Sequence, residues 1–302
     1  MARVWFAKGA TQARKIMQGL QGRGNAVESV RTARHYEQSL ARVADWQKAE
    51  HKAGREGGDL RTLTVEQAER FLAERSESVR QSQLNMDRQA IECMMRHSTG
   101  HLAADERLSI VRSELDDALG SRAYTTDQVS AVAERQQEPN ALATHIAHAA
   151  GLRAHELYTL RPAHERPADD RPARDDKFSV RDGERYTVIG KGGLCREVLL
   201  PRGLADRLEN TRLAEPERIN DRGVFYERAY AIPGGNRWSA SFTRASQRGL
   251  GWSNGAHGVR HSYAQERMGE LQRSGLAYRD ALETVSQEMG HFRPAITEVY
   301  LR

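Results

Sequence analysis

The amino-acid sequence predicts a mainly α-helical protein with a small β-hairpin, an α+β fold divided into two domains. Three observations support this prediction. Apolar residues recur at helical spacing through the first third of the chain, and two capping boxes mark helix starts. Strand patterns are clear only on the two sides of one short glycine turn. A chain of 302 residues is also long enough to bury two separate cores.

Three helices are predicted in the first third of the chain. The first runs from Asn25 to about His51, where apolar residues recur at helical spacing and glycines follow. The second begins at LTVEQAERFLAER, where Thr64 and Gln67 fit a capping box. The third ends at about His97. Together they form a small all-α domain with Arg- and Gln-rich exposed faces.

Four parts of the chain follow from this pattern. Residues 1–24 form a basic N-terminal arm that is too short to be a folded domain, and residues 25–98 form the helical domain. Residues 99–124 contain glycines and serines and form a linker, and residues 125–302 form the second domain.

The second domain opens at YTTDQVSAVAER, where Thr125 and Gln128 fit another capping box. RYTVIG and REVLLP are predicted to pair as a β-hairpin around the tight turn KGG. Before the hairpin, residues 161–176 mix prolines with charges and are predicted to be an exposed loop. Helices follow, one starting near His257 and one near Asp280.

Composition limits the partners and the compartment. The net charge is +5 and residues 1–27 contain no acid, which suggests either a polyanionic partner such as DNA or a solvated tail. The only cysteines, Cys93 and Cys195, argue against a disulfide framework or a zinc ribbon. No apolar run approaches the roughly 20 residues of a membrane span, and the N-terminus lacks a signal-peptide core. We therefore expect a soluble, cytoplasmic protein.

Four stretches of the second domain stand out: GLRAHEL, VIGKGGLCREVLLP, HGVRHSYA and MGHFRPAITEVY. They contain, in order, Arg153, Lys191, His257, Arg260, His291 and Tyr300. Taken alone, each has an ordinary explanation, such as a surface arginine, a turn lysine or a helix-capping histidine. His257 and His261 resemble half of a metal site, but Gly258 stands where a zinc peptidase has its glutamate, and no clear third ligand follows. We predict no metal site.

The order and spacing of these residues resemble the tyrosine recombinase family of the phage integrase type. GLRAHEL matches the family's first arginine motif, HGVRHSYA its second, and MGH with Tyr300 its terminal histidine and nucleophile. The resemblance implies a two-domain DNA clamp, made of a helical core-binding domain and a mixed catalytic domain. It also implies an enzyme that cuts and rejoins DNA strands through a 3′-phosphotyrosyl intermediate, without a cofactor.

The resemblance assigns the central roles. Tyr300 is the nucleophile, and its phenol, with a pKa of roughly 10 in water, needs cationic neighbours to form phenolate. Arg153 and Arg260 grip the non-bridging phosphate oxygens as paired forks. Lys191, on a mobile hairpin, is the general acid that protonates the leaving 5′ oxygen, which an arginine cannot do.

Four further side chains are expected to support this core. His257 assists proton transfer with the tyrosine, because it shares a helix face with Arg260. His291 hydrogen-bonds a non-bridging oxygen. Glu156 orients the cluster from one turn after Arg153, and His261 packs or hydrogen-bonds structurally.

The expected partner is double-stranded DNA with a specific recombination site, bound by a homo-tetramer that exchanges strands through a Holliday junction. Accessory DNA-bending proteins fit the same scheme, and a membrane partner does not. Integration or excision of a mobile genetic element is the commonest role in the family, although dimer resolution and inversion use the same machinery. The enzyme would then act at the nucleoid.

Three alternative functions compete with this prediction. A type IB topoisomerase uses similar residues but relaxes supercoils as a monomer. A catalytically silent DNA-binding regulator on the same fold would have no need of Tyr300. A metal-dependent nuclease would need clustered acids, whereas those of residues 161–176 lie in a charge-mixed loop.

Only Leu301 and Arg302 follow Tyr300. Many recombinases continue into a segment that docks on the neighbouring protomer. We therefore expect coupling between protomers to need either residues beyond Arg302 or the 290–300 segment itself. Without a packed tail, the stretch ITEVYLR is expected to be mobile until DNA binds.

Overall fold

The computed structural model describes residues 7–115 and 120–302, and the chain divides into two compact units, Met1–Ala118 and Leu119–Arg302. Helices dominate, and the strands form two small antiparallel sheets, which confirms the predicted fold class. Within the described residues, no helix is both long and apolar enough to cross a membrane.

The first unit is built from helices. They are α1 (Gly9–Leu20), α2 (Val30–Lys52), α3 (Val65–Ser76) and α4 (Gln81–Met94), with a 3-10 turn at Leu60–Thr62 and a π-helical turn at Met95–Thr99. The predicted capping box of α3 is present, because Thr64 Oγ1 accepts from Gln67 N and Gln67 Oε1 accepts from Thr64 N, each at 3.2 Å. This box satisfies backbone N–H groups that the first helical turn cannot pair.

Helix α1 lies inside the predicted N-terminal arm, which is therefore folded over these residues. Ala13, Met17 and Leu20 recur every three or four positions and are buried in the core of the first unit. With Ile16, these residues lie on one helix face, so the helical pattern was present in the sequence, and the prediction missed it by interpreting the basic segment as an arm.

The predicted linker is also partly structured. Leu102 and Leu108 are buried in the core of the first unit, and Leu108 N donates to Glu92 Oε1 at 3.0 Å. Tyr124, at the other end of the predicted linker, belongs to the core of the second unit. The glycines and serines of this segment predicted a flexible linker. Instead, its isolated leucines pack into the core of the first unit and hold much of the segment in place.

The second unit contains seven helices and five strands in its described part. The helices are α5 (Thr126–Ala133), α6 (Glu138–Ala149), α7 (Arg202–Glu209), α8 (Gly235–Leu250), α9 (Gly258–Arg273), α10 (Tyr278–Glu288) and α11 (Pro294–Glu298), with a 3-10 turn at Glu156–Thr159. The strands are β1 (Arg161–Pro162), β2 (Glu184–Ile189), β3 (Cys195–Leu200), β4 (Arg212–Asp221) and β5 (Val224–Tyr230).

The predicted hairpin is confirmed as β2–β3, with β1 added on the far side of β2. The proline-rich stretch 161–176 is a loop apart from β1. A second hairpin, β4–β5, was not predicted. Half of the residues of β4 are charged, β4 contains Pro216, and both strands are largely exposed, so they lack the alternation by which half-buried strands are recognised.

Two apolar clusters fix the positions of the site-bearing elements. The larger one joins the β2–β3 sheet to helices α5, α6 and α8 around Trp238 and Phe242. The smaller one joins α9 to α10 through residues such as Leu271 and Val285, and Tyr300 and Leu301 pack against it. The ends of α9, α10 and the chain are therefore held together.

Candidate active site

The candidate residues come from four separate segments of the second unit. Arg153 and Glu156 follow α6; His257, Arg260 and His261 lie at the start of α9; His291 follows α10; and Tyr300 follows α11. Hydrogen bonds, an ion pair and ring contacts join all of these side chains into one cluster. Lys191 lies apart, at the tip of the β2–β3 hairpin.

Glu156 is the buried hub of the cluster. Its Oε2 accepts from Arg153 N and Arg196 Nη2, and its Oε1 accepts from Arg153 Nη1, each at 2.8 Å. Arg260 Nη1 lies 3.9 Å from Oε2. Burial alone would raise the pKa of this carboxyl, but the charges of Arg196, Arg260 and Arg153 lower the pKa to about 2. Glu156 is therefore ionised, and its carboxylate oxygens are occupied by the hydrogen bonds from Arg153 and Arg196.

Arg153 retains donors for an anion. Its side chain is 24% exposed, and only Nη1 is engaged, with Glu156, among the described residues. A guanidinium has five N–H groups in a fixed fork. The remaining groups can contact a phosphate.

Arg260 is completely buried. Its Nη1 donates to Gly151 O, and its Nη2 donates to Met289 O at 2.6 Å and to His291 Nε2 at 3.0 Å. Burial lowers its pKa to about 10 against the opposing charge of Glu156, so the group remains cationic at neutral pH. Its Nε–H is buried and has no partner within the described part of the chain.

His291 is held as one neutral tautomer. Its Nε2 lies 3.0 Å from Arg260 Nη2, which can only donate, so Nε2 accepts and the proton sits on Nδ1. Nδ1 then donates to Thr297 Oγ1 at 2.9 Å. Burial, followed by the charge of Arg260, lowers the pKa of His291 to about 3.

The turn before His291 explains the glycine of the MGH motif. Gly290 has a φ of +71°, and the hydrogen bonds from Gly290 N to Gln287 O (3.0 Å) and from His291 N to Ser286 O (2.9 Å) form a Schellman cap on α10. A Cβ at position 290 would lie 2.5 Å from Arg196 Cδ. Only glycine fits both the backbone angle and the guanidinium stem beside it.

Tyr300 is surrounded by cluster side chains. Its ring centroid lies 4.6 Å from that of His261, 5.1 Å from that of His291 and 5.5 Å from that of His257. The guanidinium carbon of Arg260 lies 5.7 Å from the centroid. The phenol is therefore next to potential proton acceptors and a fixed positive charge.

The end of the chain is packed rather than free. Tyr300 and Leu301 contact the α9–α10 cluster, and Gln265 Nε2 donates to Tyr300 O at 3.1 Å and to Arg302 O at 2.9 Å. The expectation of an unpacked ITEVYLR stretch did not anticipate this hydrogen-bonding side chain on α9.

His257 and His261 are neutral at physiological pH. Loss of water contact, followed by the charge of Arg260, lowers the pKa of His257 to about 4. Burial and the charge of Arg122 do the same for His261. His261 lies nearer the Tyr300 ring than His257 does, so it contacts Tyr300 directly in addition to packing.

Lys191 is exposed and has no hydrogen bond or ion pair to any other described residue. The base of its turn nevertheless adjoins the cluster, because a Cβ on Gly190 would lie 3.4 Å from Glu156 Oε1 and 3.8 Å from Arg153 Nη1. The hairpin thus places the lysine at the edge of the site without fixing its ammonium group.

Three site residues were not recognised in the sequence: Arg196, Thr297 and Gln265. Nothing distinguishes Arg196 from the other arginines until β3 is placed beside Glu156. Gln265 had a usable signal, since His257, His261 and Gln265 recur every four residues and therefore share one helix face.

Known structures resemble this chain over most of its length. XerH recombinase bound to difH substrate is 15% identical, with a TM-score of 0.57, over 97% of this chain and 81% of that one. A lambda integrase dimer bound to a COC′ core site is 15% identical, with a TM-score of 0.59, over 97% and 76%. The Tn1549 transposon integrase in complex with transposon right end DNA is 13% identical, with a TM-score of 0.57, over 98% and 95%.

No family model and no curated protein matches the sequence. At this level of identity the structural likeness establishes the fold, which is that of the tyrosine recombinases and integrases, as the sequence motifs predicted.

Proposed function

We propose that this chain is a site-specific DNA recombinase that cuts and rejoins strands through a 3′-phosphotyrosyl bond to Tyr300. The observation that carries the proposal is the surrounding of Tyr300 by three imidazole rings and Arg260. A tyrosine with only a packing role does not require a buried guanidinium and neutral histidines around its ring.

In the cleavage step the Tyr300 oxygen attacks the phosphorus, the bond to the 5′ oxygen breaks, and the phenolic proton passes to a neutral imidazole. The rings of His257 and His261 both contact the Tyr300 ring, which makes these histidines the candidates for this role. Their low pKa values make them weak bases in the free protein. A bound phosphodiester would raise those pKa values, because its negative charge stabilises an imidazolium nearby.

Arg153 and Arg260 stabilise the charge that develops on the phosphate. Arg153 has open N–H groups, and Arg260 has a buried Nε–H without a partner. Preorganised donors of this kind are typically worth about 3 kcal/mol each in the transition state. His291 presents an acceptor in the free protein, so it must gain a proton on Nε2 before it can donate to a phosphate oxygen.

Lys191 supplies the proton for the departing 5′ oxygen. Its position on a turn with Gly192 and Gly193, both at positive φ, allows the ammonium group to move toward the scissile phosphate. Religation reverses these steps, with a 5′-hydroxyl attacking the phosphotyrosine, so the cycle needs no external energy source.

The structural neighbours support DNA as the partner. They include DNA complexes of a recombinase and of a transposon integrase, and a lambda integrase tetramer bound to a Holliday junction. We extend this to a homo-tetramer on DNA that integrates or excises a mobile element at the nucleoid, with the helical first unit as a core-binding domain. The basic net charge is compatible with that partner.

A covalent-trapping assay tests the proposal. Nicked duplexes tiled across the DNA that flanks the gene release a short 5′-hydroxyl fragment on cleavage and leave the enzyme attached. The wild type is expected to give a denaturation-resistant adduct, and Tyr300→Phe none. Tyr278→Phe is the matched control, because Tyr278 is an exposed tyrosine of the same unit. Equal adduct formation by Tyr300→Phe, or none by the wild type on any duplex, would overturn the proposal.

A further inference from the structure

We propose that Gln265 is a positioning residue that holds the backbone of the nucleophile through its side-chain amide. The inference rests on the proposed role of Tyr300. The proposed reaction requires the phenol of Tyr300 to lie at the phosphate site, but it does not say which residues hold it there. The inference concerns those residues.

The amide of Gln265 connects α9 with the end of the chain. Nε2 donates to Tyr300 O at 3.1 Å and to Arg302 O at 2.9 Å, and it lies 3.3 Å from Ser121 Oγ. An amide nitrogen carries two N–H groups, so the two carbonyls use both, and the longer serine contact is secondary.

One face of α9 holds Tyr300 from two sides. His257, His261 and Gln265 are spaced by four residues, so their side chains lie in one row along the helix. The two imidazoles contact the ring, and the amide contacts the main chain. Because the same helix carries Arg260, it fixes the nucleophile relative to the phosphate-binding guanidinium.

The C-terminal segment depends on this external support. Helix α11 has five residues, which is too short for a helix to be stable alone. The backbone N–H groups of Tyr300 and Leu301 bond only within the segment, to Thr297 O and Glu298 O. From outside the segment, Gln265 donates to Tyr300 O, and the His261 ring also interacts with the Tyr300 backbone, so one face of α9 holds this residue at two points.

Loss of the amide should therefore slow cleavage without weakening DNA binding. A misplacement of about 1 Å in a reacting group can cost about 100-fold in rate. We expect Gln265→Met, which keeps the shape but lacks donors, to slow single-turnover adduct formation by about 10- to 100-fold. Gln265→Glu should be at least as slow, because a carboxylate repels the carbonyl oxygens.

The test measures adduct formation on the nicked duplex that reacts best with the wild type, DNA affinity by fluorescence anisotropy, and hydrogen exchange of the peptide covering residues 294–302. Gln272→Met is the control, because Gln272 is an exposed glutamine of the same helix. Slower adduct formation and faster exchange in both Gln265 variants, with affinity and melting temperature unchanged, support the inference.

Adduct formation by Gln265→Met at the wild-type rate would overturn the inference. That result is expected if the Gln265 side chain only fills space, because methionine fills the same space. Faster exchange without slower cleavage would overturn it as well. If the wild type itself forms no adduct, the proposed function fails, and the exchange measurement alone decides whether Gln265 holds the segment.

Discussion

Arg196 Nη2 donates to Glu156 Oε2 at 2.8 Å, and both side chains are buried. The same guanidinium donates through Nη1 to Glu288 O at 2.7 Å, at the end of α10. One arginine on β3 therefore connects the Lys191 hairpin, the turn that carries Arg153, and the helix end that precedes His291. Rigid support of this kind keeps the groups that we propose to react within the narrow tolerances that catalysis requires.

Arg196→Met is expected to destabilise the protein and raise the pKa of Glu156, because it leaves a buried carboxylate with fewer cations. Removing one partner of a buried pair typically costs about 3–5 kcal/mol. Chemical denaturation measures the change. Arg202→Met is the control, since Arg202 is 68% exposed and its pair with Asp182 should leave the unfolding midpoint unchanged. Equal effects of the two variants would contradict the connecting role of the buried Arg196.

Gly290→Ala should both destabilise the protein and slow cleavage. A left-handed backbone costs a non-glycine residue about 1 kcal/mol or more, and here the new methyl group also displaces Arg196. Gly251→Ala is a matched control, because Gly251 caps α8 at a φ of +79° with open space around its Cα. Gly251→Ala should show only the backbone cost and retain full adduct formation. A similar loss of cleavage in both variants would show that the displacement of Arg196 is not what slows cleavage.

Stability should fall as the pH drops from about 6.5 toward 5. His257, His261 and His291 have folded-state pKa values of about 4, 4 and 3, below the ordinary value of 6.5. The unfolded chain therefore binds more protons in this window, and acidification favours unfolding. Calorimetry of the wild type and of His261→Asn tests this.

The variant should have a shallower pH dependence, since one of the groups is removed. His164→Asn should keep the wild-type slope, because the His164 side chain is 82% exposed. A flat wild-type profile between pH 5 and 6.5, or identical slopes for wild type and His261→Asn, would contradict the assigned environments.

Lys191→Ala and Lys191→Arg should both lose cleavage of an ordinary duplex, by about 100-fold or more, because neither side chain can give a proton to the leaving oxygen. A duplex with sulfur in place of the bridging 5′ oxygen should restore the rate, since a thiolate leaves without protonation. Each variant is its own control, because the same protein is compared on the two duplexes and a folding defect would affect both. Equal defects on both duplexes would assign Lys191 to DNA binding rather than proton transfer.

The sequence predicts those parts of the molecule whose signals are local. The Thr64 and Thr125 boxes and the β2–β3 hairpin are determined by neighbouring residues, and the structure contains all three. Short motifs likewise located the side chains that the fold gathers around Tyr300. Helix α1 was missed although its apolar residues lie on one face, because the segment was interpreted by its basic charge. The β4–β5 hairpin was missed because β4 is rich in charge and contains a proline.

Long-range partners are what a single sequence cannot supply. Arg196 lies 40 positions from Glu156, and Gln265 lies 35 positions from Tyr300. Their residue types are common in this chain, so only the folded arrangement separates them from solvated arginines and glutamines. The residues that hold the site in place, such as Arg196 and Gln265, were therefore harder to predict than the residues proposed to react.

Mass spectrometry of the protein–DNA adduct tests the central claim most directly. After nuclease and protease digestion, a nucleotide joined through its 3′ phosphate should be found on Tyr300, in the peptide that also contains His291. The released strand should carry a 5′-hydroxyl. A nucleotide attached to any other residue, or a cleaved strand with no protein attached, would contradict the account.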